Sequence, residues 1–354
     1  MKPKQIIPLQ ALKRISRDFP GIFPMIDEVV LDESDEEMAD RWDHGTIYAP
    51  IGLAKAAMEN IGGPFVGMSH PLDLALVAAL AGWRRAKTIY DFSTALSEEL
   101  VKSAQSQEMT MPVSALALPY WSIYIRPNLK TWDIDGFFVY YDEDVNDETG
   151  EHTRELRFTP IDKEGNARPT LYLIQGNKDE MSIKDCLGNS FSALNQVDIP
   201  RNLRAMGVKP AFPVDADHQT MAALGELAAQ LVSFVLYLSA VNADMKRDER
   251  SPFKRTKNVQ DIAREVEHIH VGDDVAVRIK EMNGRQTVSE PGESLGGHHR
   301  SPAMHVRRAH WHTFHVGEGR KGTKVKWLAP MIINAAGDTT DVVTTNKVEN
   351  IKEE

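Results

Sequence analysis

The hydrophobic period of this chain changes in blocks, and that constrains its fold more than any single motif. From Pro71 to Phe92 the apolar residues Leu72, Leu76, Leu80 and Trp83 recur at three or four, with Pro71 suited to a first helical turn. Ser93 to Ala104 reads as a second helix with Ser93 as its N-cap. The period then drops to two. Val113 to Leu118, Tyr120 to Arg126, Asp133 to Tyr141, Arg154 to Phe158 and Thr170 to Ile174 are short β-branched or aromatic runs parted by Pro, Asn and Gly, and so predict strands. Helical spacing returns over Gln219 to Ala243 and again over Val259 to His268. Blocks of one period followed by the other, without βαβ alternation, predict an α+β fold. Its parts are a helical N-terminal part, an antiparallel sheet, a long buried helix and a C-terminal β-hairpin. The expected division is an acidic N-terminal region over 1–70, an α+β core over 71–334 with the hairpin at 304–333, and a polar tail over 335–354.

At 354 residues the chain can bury a sizeable core. A single cysteine, Cys186, excludes an internal disulfide framework and an all-Cys zinc site, and fits a reducing cytoplasm. Met1 to Arg17 has no apolar core beside a cleavage site, so no secretory signal is expected. The most membrane-like stretch, Thr220 to Val241, is interrupted by Glu226 and Gln230, and its unbroken apolar runs fall well short of the ~20 residues a span requires. A buried central helix is the better reading, and no membrane partner is expected. Asp27 to Asp43 holds nine acids against one Arg, and Asp142 to Glu151 six acids and no base; both read as solvated.

Against a net charge of −10, the segment Ser294 to Trp327 carries seven Lys or Arg and one acid, Glu318. Six of the twelve histidines lie between His298 and His315. Arg and His must be hydrated or paired wherever they lie, so such a cluster marks a surface, a polar network or a site. Met304 to Val316 and Thr323 to Ile333 are extended runs around Gly317-Glu318-Gly319-Arg320-Lys321-Gly322, which predicts a β-hairpin with a glycine-rich tip. That tip matches G-x-G-x-x-G. A dinucleotide loop needs a helix after it, however, whereas Thr323 to Trp327 alternates like a strand.

Alternation places Arg308, His310, His312 and Phe314 on one face of the first hairpin strand and His305, Arg307, Trp311 and His315 on the other. Two histidines at i and i+2 could share a metal with a third ligand, or serve as acid and base beside an arginine that stabilises phosphate charge. The plainer alternatives are a polar ladder with Trp311 packed on the core, or a binding surface. At the tip, Arg320 and Lys321 are the candidate phosphate contacts, and Lys324 and Lys326 continue that track. His268-Ile269-His270 and Asp215-Ala216-Asp217-His218 have no recognised metal spacing and read as caps or loops. No G-x-S-x-G elbow occurs, and nothing else in the chain points to an enzyme.

The segment His305-Val306-Arg307-Arg308-Ala309-His310-Trp311-His312-Thr313-Phe314, with Lys324-Val325-Lys326-Trp327 and Ile332-Ile333-Asn334 behind it, resembles the C-terminal signature of one family. That family is the second-described group of subtype V-A anti-CRISPR proteins, found on phages, plasmids and other mobile elements. Further matches fall in the same order. These are Gly82-Trp83-Arg84-Arg85 to Ile89-Tyr90, then Leu118-Pro119-Tyr120-Trp121-Ser122-Ile123-Tyr124-Ile125, and then Asp135-Gly136-Phe137-Phe138-Val139-Tyr140-Tyr141-Asp142. The chain departs from the pattern at His315, where an aromatic residue is expected, and in a longer acidic N-terminal region. The resemblance implies a cytoplasmic inhibitor, not an enzyme and without a cofactor. It would recognise a type V effector polypeptide as a nascent chain and cause loss of the effector's message. The charge contrast of the hairpin, independently of the resemblance, points to RNA or the ribosome as a further partner. The binding candidates are Arg307, Arg308, His310, Trp311, His312 and Phe314, the tip residues Arg320 and Lys321, and Trp121. The alternative from another class is a phosphodiesterase, metal-dependent or not, built on His310 and His312.

Overall fold

The structure is a computed structural model; it describes residues 6–32, 42–63, 66, 70–104, 109–145, 152–175, 181–196, 218–247, 266–286, 305–317 and 322–333. Eight helices are present among these: α1 (Ile7–Asp18), α2 (Ile22–Val30), α3 (Ile51–Gly62), α4 (Pro71–Ala86), α5 (Thr94–Ser103), α6 (Ile183–Gln196), α7 (His218–Ser239) and α8 (Asp273–Gln286). The main sheet has seven strands: β1 (Thr88–Phe92), β2 (Ser122–Arg126), β3 (Gly136–Val145), β4 (His152–Ile161), β5 (Leu171–Ile174), β6 (Met245–Arg247) and β7 (Glu267–Val271). The fold is α+β, as the block pattern predicts.

Strand order is β5-β4-β3-β2-β1-β7-β6. The run from β2 to β5 is an antiparallel meander, but β1 lies parallel to both β2 and β7. The sheet is therefore mixed and not the antiparallel one expected. The cause is local. Helical spacing from Pro71 stops at Ala86, because Lys87 adopts a left-handed backbone (φ 49°) that closes α4. The β-branched and aromatic run that follows, Thr88–Phe92, becomes the strand β1. Ser93 then caps α5 by accepting from the Leu96 amide at 3.4 Å. That helix carries the chain over one face of the sheet, a crossover that parallel pairing requires.

Both faces of the sheet are covered. Tyr90, Phe92, Ile123, Ile125, Phe137, Val139 and Phe158 point into a core completed by α5, α6, α7 and α8. Ile89, Tyr124, Phe138 and Tyr140 point into a second core made with α1 to α4. Two-sided burial explains why Phe137 to Tyr140 reads as a continuous apolar run. Between Ala222 and Ser239, α7 is long and apolar enough to span a membrane (mean hydropathy 1.5). Its Leu231, Val232, Phe234, Val235 and Leu236 lie in the first core, where Phe234 meets Phe92 edge-on at 5.0 Å and Phe137 at 5.9 Å.

Other expectations change. Pro112 leads not into a strand but into a single 3₁₀ turn, Val113–Ala115, held by the Val113 amide on Met181 O at 2.9 Å. His268 belongs to β7, not to a helix, and 259–265 lie outside the described residues. The acidic runs are not wholly solvated. Asp27 accepts from Tyr48 Oη at 2.6 Å and pairs with Arg84 and Arg85 at the end of α4. Asp142, fully buried in β3, pairs with Arg157 Nε at 2.6 Å and accepts from the Ile51 amide that starts α3 at 2.8 Å. Residues 33–41 and 146–151 of those runs lie outside the described residues.

Cys186 is sealed in the first core on α6, and burial, reinforced by the charge of Asp185, pushes its thiol up to about 11. At pH 8 only a trace of thiolate exists, and the sulfur has no access to solvent. Iodoacetamide should therefore leave the folded chain unlabelled and modify Cys186 fully in denaturant, as read by mass spectrometry. Rapid labelling of native protein would contradict the packing of α6.

Candidate functional site on the C-terminal ribbon

The C-terminal strands form two short antiparallel pairs in one register. β8 (His305–Arg307) pairs with β11 (Met331–Ile333), and β9 (His310–Val316) with β10 (Gly322–Leu328). Arg307 lies opposite Met331 and His310 opposite Leu328, so two residues on each side interrupt an otherwise continuous ladder. One of them is Pro330, which has no amide to donate. The single expected hairpin is thus split at Arg308-Ala309. Residues 318–321, with Arg320 and Lys321, lie outside the described residues.

One face of the ribbon is an anchor. Trp311 and Trp327 sit directly opposite each other, each only 2% exposed, with Val325 buried beside them. Trp327 meets Tyr237 of α7 edge-on at 5.6 Å. Trp311, one of the binding candidates, has its ring spent on the core, where it anchors the ribbon. Backbone bonds fix the seat. Asn242 Nδ2 donates to Trp327 O at 2.7 Å, the Trp327 amide donates to Asn242 Oδ1 at 3.1 Å, and the Val241 amide donates to Val325 O at 3.0 Å. Asn242→Ala would strand two backbone groups and should cost about 1–3 kcal/mol. The checks are a lowered melting temperature and faster amide exchange confined to β9 and β10; exchange unchanged there would contradict this seat.

The other face points outward. His310, His312 and Phe314 stand in a row on β9, with Leu328, Lys326 and Lys324 respectively opposite them on β10. His312 and both lysines are exposed, while His310 and Phe314 are half-buried. The His312 and Phe314 rings tilt together with centroids 6.2 Å apart. His310 is held on both sides: its Nδ1 lies 3.1 Å from Arg308 O and its Nε2 3.0 Å from Arg307 Nη2. That pattern fits the tautomer in which Nδ1–H donates to the carbonyl and Nε2 accepts from the guanidinium. Arg308 is exposed and falls in the break between β8 and β9, outside either strand. Among the described residues no carboxylate pairs with Arg307, Arg308, Lys324 or Lys326. Nor does any group of three His, Cys, Asp or Glu suited to a metal occur among them.

The remaining candidates lie elsewhere. Trp121 precedes β2, donates from Nε1 to His44 O at 2.9 Å and lies with its ring tilted 5.2 Å from that of Tyr48, a residue of the second core. It is 36% exposed but separate from the ribbon, which packs on the first core. His268 and His270 lie within β7, and 215–217 are outside the described residues. One feature the motif reading missed is a cavity of about 260 Å³ formed by the β2–β3 loop, with Arg126, Lys130, Trp132 and Lys163 in its lining. Only the turn dipeptide Pro127-Asn128 hinted at a shaped loop there.

A three-layer α+β scaffold carrying a basic, ring-bearing two-stranded ribbon on one core defines the class. Within it, residues 90–335 match the anti-CRISPR type V subtype A2 family (AcrVA2-like), and the chain belongs to that family. The fold is also that of a solved protein described as "Crystal structure of AcrVA2": the TM-score is 0.61 at 15% identity, over 94% of this chain and 100% of that one. No match is found among curated proteins.

Proposed function

We propose that this chain is an anti-CRISPR inhibitor that lowers a type V RNA-guided nuclease by recognising the effector's nascent polypeptide and causing loss of its message. It acts in the bacterial cytoplasm as a binding protein, without a cofactor. Family membership supports the inhibitor reading. The observation that carries the ribbon's part is its outward face: His310, His312 and Phe314 beside Lys324 and Lys326, anchored from behind by Trp311 and Trp327. Rings alternating with unpaired amines suit a single RNA strand, whose bases stack while its phosphates meet the cations. The ribbon is accordingly assigned to RNA or the ribosome, and the peptide to another surface. Co-expression with several type V effectors tests the whole: effector message and protein should both fall, and unchanged levels of both across effectors would contradict it.

The phosphodiesterase alternative rests on the same imidazoles, with Arg307 reaching His310. Purified protein incubated with naked RNA, with and without chelator, separates the two. Intact RNA is expected; cleavage abolished by His310→Ala would favour the alternative.

A further inference from the structure

The β2–β3 loop borders an open cavity just outside the carboxyl end of β2, where β1, β2 and β7 run parallel. Loops leaving the carboxyl ends of parallel strands are the usual place for ligands in open α/β sheets. This loop is braced. Asn128, in the left-handed region (φ 57°), donates from Nδ2 to Asp91 Oδ1 at 2.6 Å and to Phe92 O at 2.8 Å, which ties the loop to the end of β1. Arg126 is held between Asp91 at 3.5 Å and Asp135 at 3.4 Å, and Tyr124 Oη donates to Asp135 at 2.7 Å. Trp132 forms a wall and is itself seated edge-on against Phe234 at 6.0 Å. Lys163 enters from a turn in which Asp162 accepts from the amides of Glu164 at 3.0 Å and Asn166 at 2.8 Å.

The charges are unevenly satisfied. Arg126 occupies Asp91 and Asp135, while Arg168 pairs with Asp133 at 3.5 Å and Asp162 at 3.7 Å. Lys130 and Lys163, both lining the cavity, have no carboxylate partner among the described residues. Lys130 and Lys163, neither with a carboxylate partner, and the Trp132 indole therefore line one small cavity, beside the paired Arg126 and Asp135, in a chain of net charge −10. Such a volume takes a compact ligand with a doubly charged group and a flat body.

We propose that this cavity binds a nucleoside monophosphate, free or as the phosphorylated end of an RNA strand, with its phosphate on Lys130 and Lys163 and its base against Trp132. An acidic side chain of a peptide would use the lysines but leave the indole wall without a partner, so the nucleotide accounts for more of the cavity. This assignment does not depend on how the inhibitor acts on its target, and its success or failure is read without any effector present.

The test is isothermal titration calorimetry of the full chain with AMP, GMP, CMP and UMP, with inorganic phosphate, and with a blocked Asp-Glu dipeptide. At least one monophosphate should bind, more tightly than inorganic phosphate and than the dipeptide. Each of Lys130→Ala and Lys163→Ala should weaken it about tenfold, the loss of one charge-assisted contact. Both lysines are exposed, so the variants should melt with the parent. A short RNA with and without a 5′-phosphate then distinguishes the sources: phosphate-dependent binding identifies a strand end, and binding of monophosphates alone identifies the free nucleotide. No binding by any monophosphate, tighter binding of the dipeptide, or equal affinity in the double lysine variant would overturn the assignment.

Discussion

On the proposed reading, a chain carrying Lys324→Glu and Lys326→Glu should fold like the parent and fail to silence its effector. Both lysines are exposed on β10, opposite Phe314 and His312, and neither has a carboxylate partner among the described residues. Exposed substitutions away from caps and networks usually shift stability by no more than about 0.5 kcal/mol each, so the melting curve should stay within about 1 kcal/mol of the parent's. RNA binding should change far more. Each phosphate contact contributes about −0.7 to the log–log salt slope on a single strand, so losing two should flatten the slope by about 1.4. Phe314→Ala should remove a stacking platform worth roughly 1–3 kcal/mol per base. The measurements are RNA affinity at two salt concentrations and effector message level on co-expression. Lysines on a ribbon can also serve only to keep its edges from pairing with other chains. In that case the double variant, whose glutamates still keep the ribbon charged, would silence normally and keep the parent's RNA affinity and salt slope.

Trp327→Ala should have the largest effect on stability, with Trp311→Ala close behind. Each ring is 2% exposed, they face each other across the ribbon, and Trp327 packs on Tyr237 of α7. Truncating a packed tryptophan costs about 3–5 kcal/mol, a large part of the stability of an ordinary domain. The two substitutions should be strongly non-additive, because either one removes the partner the other packs against. Hydrogen exchange should rise first in β9 and β10, and silencing should fall with it, since the outward face is positioned only while the inward face is seated. A Trp327→Ala chain that melts with the parent would show that the ribbon is not anchored through this pair.

Elements governed by near neighbours were legible in the sequence. Ser93 is the cap its position suggests, β2 to β5 fall within a few residues of their expected runs, and α7 fills the long apolar stretch. On the ribbon, alternation put His310, His312 and Phe314 on one face and Trp311 on the other, as the register has them. Elements decided by distant residues were not legible. β1 continues the helical spacing of α4 in sequence and is set apart from it by the left-handed Lys87 and by pairing with β2 and with β7, whose first residue is Glu267. Asp142 looks like one of several solvated acids until Arg157 arrives from β4. The β2–β3 cavity joins residues 126–135 to Lys163 from the turn after β4, and no motif spans that gap.

The most direct test of message-level silencing uses two versions of a type V effector message, identical except that one has lost its start codon. Both are expressed with and without the inhibitor, and each message is quantified. If recognition begins on the nascent polypeptide, the translated message falls and the untranslated one is spared. Equal loss of both messages, or no loss of either while effector activity is blocked, would contradict that account.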